Sequence, residues 1–529
     1  MPTDCISYQN SGYFSKLMVD YLDKKPNLQQ LYGDFPTIEH FGNQIAKKEK
    51  TFTPETRAVL VTALEEQYQQ ISASDSTKHN IALLKNSKTF TVTTGHQLNL
   101  FTGPLYFLYK IVSVINLSRT LKKVYSEYDF VPVYWMASED HDFEEINYFI
   151  YNNKKIIWNR PSSGPVGRLS TEGLDKVFEV FVSETGIGNN ASYLKELFKN
   201  AYLNHATLAE ATLYLANELF GETGLVIIDA DKASLKELFI PYVEKELTQQ
   251  ISYQKVTENN RLLADYTVQV HPREINLFYI EDHLRERILF EDNRYKINNT
   301  QLSFTTDEIV NLLYNHPEKF SPNVILRPLY QEVILPNLCY IGGGGELAYW
   351  LQLKTNFEAN NVVFPMLLLR NSVVLATQKQ AQKADKLKLQ WNDLFLKQAD
   401  LINQKTKALS KLSLDFSSQK LLLQQQFDVL QQIASQTDPS FSGAVKAQEK
   451  KQIKGLQQLE KRLLKAEKKV HHDILYRIIQ LQDELFPNQG LQERSVNFAE
   501  FYTQYGQELL QRLFQELSPL EQKFDVIVL

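Results

Sequence analysis

A chain of 529 residues is too long for one ordinary hydrophobic core and predicts two to four structural units. A formal net charge of −5 gives no electrostatic case for general nucleic-acid binding, and two cysteines, Cys5 and Cys339, exclude a disulfide framework or a cysteine zinc site. There is no basic stretch followed by an apolar one near Met1, and the most apolar run, residues 362–369, is far below the roughly 20 residues of a membrane helix, so no membrane partner is expected and the expected setting is the cytoplasm.

Residues 1–85 read as a helical segment packing on the core, with Leu60, Val61 and Leu64 at helical spacing. Residues 86–147 are the most informative stretch. A β-prone run, Phe90 to Thr94, meets a glycine loop at residues 95–103. A helix is expected from Leu105 to Leu121, with Leu108, Ile111, Val112, Ile115 and Leu117 on its apolar positions. A second strand, Val131 to Met136, ends in Glu139, Asp140, His141 and Asp142. Strand, helix, strand is the unit of a parallel sheet, whose ligands bind beyond the carboxyl ends of the strands. Both unusual segments fall at such ends.

Residues 148–220 read as a first insertion: a small β piece at 148–158, a turn at 161–167, then helices. Residues 221–231 return a core strand ending in Asp229 and Asp231. A second insertion spans 232–320, with helices and then strands at 267–270, 277–280 and 288–290. The last part of the core, 321–374, is expected to hold strands at 323–326, 333–341 and 362–369. Residues 375–486 are nearly free of glycine. Leu456, Leu459, Leu463, Ala466, Val470, Ile474, Ile478, Leu481 and Leu485 step by three and four residues, with one extra four-residue step near Val470. With Leu387, Trp391, Leu394, Leu423, Phe427 and Leu430 before a turn at Asp438, this predicts an antiparallel helical coiled coil with arms of about 45–60 residues. Self-association is the expected use of such a projection; the plain alternative is that the arms pack only on each other. Residues 487–529 return to the core.

Three segments carry candidate chemistry. The loop at 95–103 offers backbone N–H groups for an anion, with His96, Gln97, Asn99 and Thr102 between Gly95 and Gly103. Asp140, His141 and Asp142 can supply a general base, orient an ammonium group or bind a metal. Gly342, Gly343, Gly344 and Gly345, followed by Glu346, stand between a strand and a helix and imply close backbone approach. An ordinary turn and a solvated acidic loop are the plain alternatives for the first two. Gly343, Gly345 and Ala348 fit a dinucleotide fingerprint in form, but the next strand ends in Arg370, not in a ribose-binding acid. No G-x-x-x-x-G-K-[ST] loop occurs, which argues against a P-loop NTPase. Residues 487–494, with Asn488, Glu493 and Arg494, read as a fitted loop serving the core or a partner subunit as a second site.

The segments 94–106, 131–147, 340–350 and 486–494 resemble, in order and across almost the whole chain, the cysteine-adding enzyme family of bacillithiol biosynthesis. Two positions depart from the family pattern: His96 stands where Gln is usual, and Gly344 where proline is frequent. The resemblance implies an α/β fold: a Rossmann-like parallel sheet similar to class I aminoacyl-tRNA synthetases, two connecting insertions and a coiled coil used for homodimerisation. It implies a ligase that joins the carboxyl of cysteine to the amine of glucosaminyl malate. Such a reaction needs activation, normally by ATP, so ATP or ADP is an expected ligand, with Mg only as its companion and no resident metal. On this reading the two glycine loops hold substrate or nucleotide. Asp140, His141 or Asp142 orients or deprotonates the amine, and Arg370 meets malate or phosphate oxygens. The alternatives are a nucleotide-binding dimeric scaffold, or a nucleotidyltransferase with another substrate.

Overall fold

Runs of Val, Ile, Thr and aromatic residues build a central sheet of five parallel strands. They are β1 (Thr89–His96), β2 (Asp129–Met136), β3 (Val226–Asp229), β4 (Asn337–Gly342) and β5 (Met366–Leu369). The structure, a computed structural model, describes residues 1 and 3–529. The strand order is β5-β4-β1-β2-β3. All eight residues of β1 are buried, as expected of a strand covered on both faces. Helix α1 (Tyr106–Val124) crosses from β1 to β2 and buries twelve of its residues. The chain leaves β1 in one direction, to β2 and β3, and returns on the other side of β1 as β4 and β5. The carboxyl ends of β1 and β4 therefore flank a topological switch point, where open α/β sheets form their ligand crevice.

Two insertions interrupt the sheet. The first holds the hairpin Tyr148–Tyr151 with Lys154–Ile157 and the helices Leu174–Thr185, Asn189–Leu203 and Leu208–Phe220. The second adds helices and an antiparallel sheet containing Leu277–Glu281 and Leu284–Glu291. Two expected strands are absent. Residues 267–270 are irregular, because the N–H groups of Gln269 and Val270 donate to the Gln352 side chain instead of to a ladder. Residues 323–326 form a turn leading into helix α2 (Arg327–Ile334), which Pro328 opens in its first turn, and the strand expected from Val333 begins only at Asn337.

The chain forms two compact units, residues 5–374 with 492–527 and 529, and residues 1–4 with 375–491 and 528. In the helical unit, Ser417–Ala434 packs against Pro439–Val470 around Phe427, Ala434 and Val445, with Leu423 against them. Asp438 caps the second helix by accepting from the Ser440 N–H at 2.9 Å. The first arm is not one rod: Gln378–Lys386, Trp391–Leu394 and Gln398–Leu409 are short helices broken by Lys388 at φ 52° and by residues 410–416, the second break falling in the stretch 410–419 where the apolar spacing is weaker. The second arm breaks at His471, beside the extra four-residue step, and resumes as His472–Leu485.

Candidate active site

The loops after β1, β2 and β4, with residues from the second insertion, enclose a pocket of about 1170 Å³. The β1 loop is held open by its backbone. Phe101, Thr102 and Gly103 all have positive φ, and a Cβ on Gly103 would come within 2.6 Å of Asn99. Asn497 locks this turn by donating from Nδ2 to the carbonyls of Phe101 and Gly103, at 2.8 and 2.6 Å.

One wall is cationic. Lys110, on α1, donates to the Gly95 carbonyl at 2.7 Å and pairs with Glu346 at 2.7 Å. Glu346 also accepts from the Gly343 N–H (2.7 Å) and the Tyr340 hydroxyl (2.9 Å), which couples the second glycine loop to the first. Burial lowers the Lys110 pKa and Glu346 opposes that shift. Arg370 pairs with Glu493 at 2.7 Å, yet its buried Nε has no partner. Arg327 places its guanidinium 5.6–5.8 Å from the rings of Trp135, Tyr340 and Trp350, and its buried Nη2 is likewise unpartnered. Two guanidinium groups with spare N–H donors suit the oxygens of a carboxylate or phosphate.

Another wall is acidic. Gln97 donates to both Asp140 and Glu145 at 3.0 Å, and Asp140 also accepts from the His141 N–H at 2.7 Å. An Arg285 N–H lies 2.6 Å from His141 Nδ1. A guanidinium can only donate, so Nδ1 is the acceptor and the imidazole proton sits on Nε2. Asp142 remains more than half exposed, with its pKa raised by burial and by Asp140. Asp140, His141 and Asp142 offer ligand atoms within 4.8 Å of one another, but Arg285 occupies the imidazole lone pair that a cation would need. This arrangement suits hydrogen bonding and proton acceptance better than metal binding. Below it, Glu139 pairs with Lys236 (2.5 Å) and Lys236 with Asp231 (3.1 Å), tying the ends of β2 and β3 together.

Of the residues singled out from sequence, Gly95, His96, Gln97, Asn99, Gly103, Asp140, His141, Asp142, Gly343, Gly344, Gly345, Glu346, Arg370 and Arg494 line this pocket. His96 is buried against Tyr106 and Phe107; burial and the Lys110 charge hold its pKa well below the usual imidazole value, so it is neutral. Thr102 and Gly342 lie behind the wall as buried supports, and Glu493 reaches the site only through Arg370. Asn488 is exposed in the helical unit. Close approach does not explain every glycine: a Cβ would be crowded at Gly342 but would meet open space at Gly345. Sequence reasoning missed Lys110, Arg285 and Arg327. Lys110 had a signal, a lone cation in the apolar stretch of α1. Arg327 had none, because it falls between the strands expected at 323–326 and 333–341, in residues that no periodicity marked as an element.

Parallel sheet, switch-point pocket and helical hairpin together define a Rossmann-like α/β protein with a C-terminal coiled coil. Residues 1–371 match the family model described as bacillithiol biosynthesis BshC, N-terminal Rossmann-like domain, and residues 373–529 match its C-terminal coiled-coil domain. The chain belongs to the BshC family of bacillithiol biosynthesis. It is 61% identical to a Flavobacterium johnsoniae protein over the full length of both chains, and 54% identical to one from Christiangramia forsetii over 100% of this chain and 99% of that one. A Bacillus cereus relative is 27% identical over 97% of this chain and 98% of its own. All three carry the name "Putative cysteine ligase BshC". Among the described residues no helix is long and apolar enough to cross a membrane.

Proposed function

We propose that the protein joins the carboxyl of cysteine to the amine of glucosaminyl malate, and that the pocket at the β1–β4 switch point is where it does so. The observation that carries this reading is that spare guanidinium donors on Arg327 and Arg370 line the same pocket as a carboxylate cluster at Asp140 and Asp142. Glucosaminyl malate has the matching polarity, with carboxylates at one end and an amine at the other. Arg327 and Arg370 bind the malate carboxylates. Asp140, held by Gln97 and by the His141 N–H, orients the amine. Asp142, the less committed carboxylate, accepts a proton as the amine nitrogen attacks the activated cysteine carboxyl carbon; the C–N bond forms as the C–O bond breaks, and that oxygen leaves with the activating group that ATP would supply. His141, with Nδ1 engaged, donates from Nε2 rather than acting as the base. ATP supplies the activation of the carboxyl group when bound, and the spare donors of Arg327 and Arg370 fit its phosphates as well as they fit carboxylates. The protein works as a cytoplasmic homodimer associated through the helical hairpin, where Leu421, Leu422, Val429, Ile433 and Leu459 are each more than half exposed.

The test is mass-spectrometric detection of new thiol product from cysteine and glucosaminyl malate, with and without ATP. Asp142→Asn should lower the rate by about 10²–10⁴-fold, the usual weight of a general base, with the melting temperature nearly unchanged. An Asp142→Asn enzyme at full rate removes this residue from the chemistry. No product in either condition rejects the substrate pair.

A further inference from the structure

Behind Arg327 lies a chain of buried polar side chains that do not line the pocket and that the reaction above does not use. Arg327 Nη1 donates to Gln331 Oε1 at 3.1 Å, one turn along α2. Gln331 Nε2 donates to Glu332 Oε1 at 3.0 Å. The same Glu332 oxygen accepts from Asn337 at 2.6 Å, and Asn337 in turn accepts from Thr93 of β1 at 2.9 Å. The other Glu332 oxygen takes Lys48 at 3.1 Å, and Lys48 also donates to the Glu332 carbonyl at 2.9 Å. Gln331, Glu332, Asn337 and Lys48 are all at most 2% exposed. Lys48 belongs to the helix Phe41–Glu49 of the N-terminal segment, outside the sheet.

We infer that Lys48, Glu332 and Gln331 are positioning residues for the Arg327 guanidinium. A glutamine amide has one accepting and one donating end. An ionised Glu332 can only accept, so it binds the Nε2 end of Gln331 and turns Oε1 toward Arg327. Burial raises the Glu332 pKa, and the Lys48 charge with the hydrogen bonds from Asn337 and Gln331 opposes that shift and favours the ionised carboxylate. With the acceptor end fixed, Gln331 takes one guanidinium N–H and leaves Nη2 for the pocket. If the amide turned over, its NH₂ would oppose the guanidinium and displace it from between Trp135, Tyr340 and Trp350. The N-terminal segment thereby sets the geometry of a residue it does not reach.

The inference rests on Arg327 meeting the ligand carboxylates, and the experiment separates the two. Calorimetry on the full-length protein, with glucosaminyl malate and with L-malate as probes, measures Kd in a double-mutant cycle. Gln331→Met keeps the side-chain volume and should weaken binding about tenfold, whereas in an Arg327→Met background the same change should alter Kd by less than about twofold. The paired variant Lys48→Met with Glu332→Gln leaves no buried unpaired charge, frees the amide to turn, and should show the same dependence on Arg327. A tenfold effect of Gln331→Met in both backgrounds marks a general structural loss and overturns the positioning role. An Arg327→Met protein that binds both probes as tightly as the parent removes Arg327 from the ligand site, and the relay with it.

Discussion

The parallel sheet and the helical hairpin bury their apolar residues in opposite ways. In β1 every residue is buried, whereas in the helix Pro439–Val470, four times as long, only Val445 is. β1 finds its partners within its own unit, since it is paired with β2 and β4 and packed against α1. The hairpin packs one narrow seam, around Phe427, Ala434 and Val445, and leaves Leu421, Leu422 and Val429 in solvent. A helix whose apolar residues outnumber its buried positions is built for a second surface. On the proposed dimerisation, stability is concentrated in one region and association in the other.

The largest effect should come from the buried ion pair of the core. Arg370→Met strands Glu493, which is 1% exposed, and should cost about 3–5 kcal/mol in denaturant unfolding. Adding Glu493→Gln should restore most of that loss while keeping an acceptor for the Val373 N–H. Next in size, Leu108→Ala in α1, at 0% exposure, should cost about 2–5 kcal/mol. Leu422→Ala on the hairpin, at 60% exposure, should change the unfolding of the chain by less than about 0.5 kcal/mol. Equal costs at the two leucines would break the comparison.

A smaller effect is expected from pH. Burial, with Glu521 adding to it, pushes the Asp525 carboxyl up to about 7, although Asn371 opposes the shift. The folded protein then holds this proton more tightly than the unfolded chain. Stability should fall as pH rises from about 4 through 7, because the unfolded chain ionises first. Unfolding measured at pH 5 and pH 8 should show the difference, and Asp525→Asn should remove that part of it.

The smallest effect on stability, with the largest on mass, is expected from Leu421→Lys, Leu422→Lys and Val429→Lys together. Light scattering should give the mass of a single chain while the melting of the α/β unit stays where it was. An oligomer that survives these three charges would place association elsewhere.

How much of this was legible depends on where each signal resides. The β1–α1–β2 unit could be read residue by residue, because strand and helix periodicities are local and the glycine loop and acid cluster interrupt them at fixed points. Asp140 and Gly103 could be singled out for the same reason. The break beside Val470 announced itself as an irregular step in the seam. The strand expected at 323–326 failed because a short apolar run reads alike in a strand and at the start of a helix, and Pro328 decided between them. Lys110 and Arg327 became site residues only when β4 was laid beside β1, a pairing across more than 200 residues that no local pattern encodes. The sequence alone determined the β1–α1–β2 unit, the helical hairpin and which segments are chemically unusual, since propensity, periodicity and turn chemistry act over a few residues. Tertiary structure alone decided which charges share the pocket, that Arg285 takes the lone pair of His141, and that Lys48 reaches Glu332. Strand order and burial bring these groups together, and both are set by packing of the whole sheet.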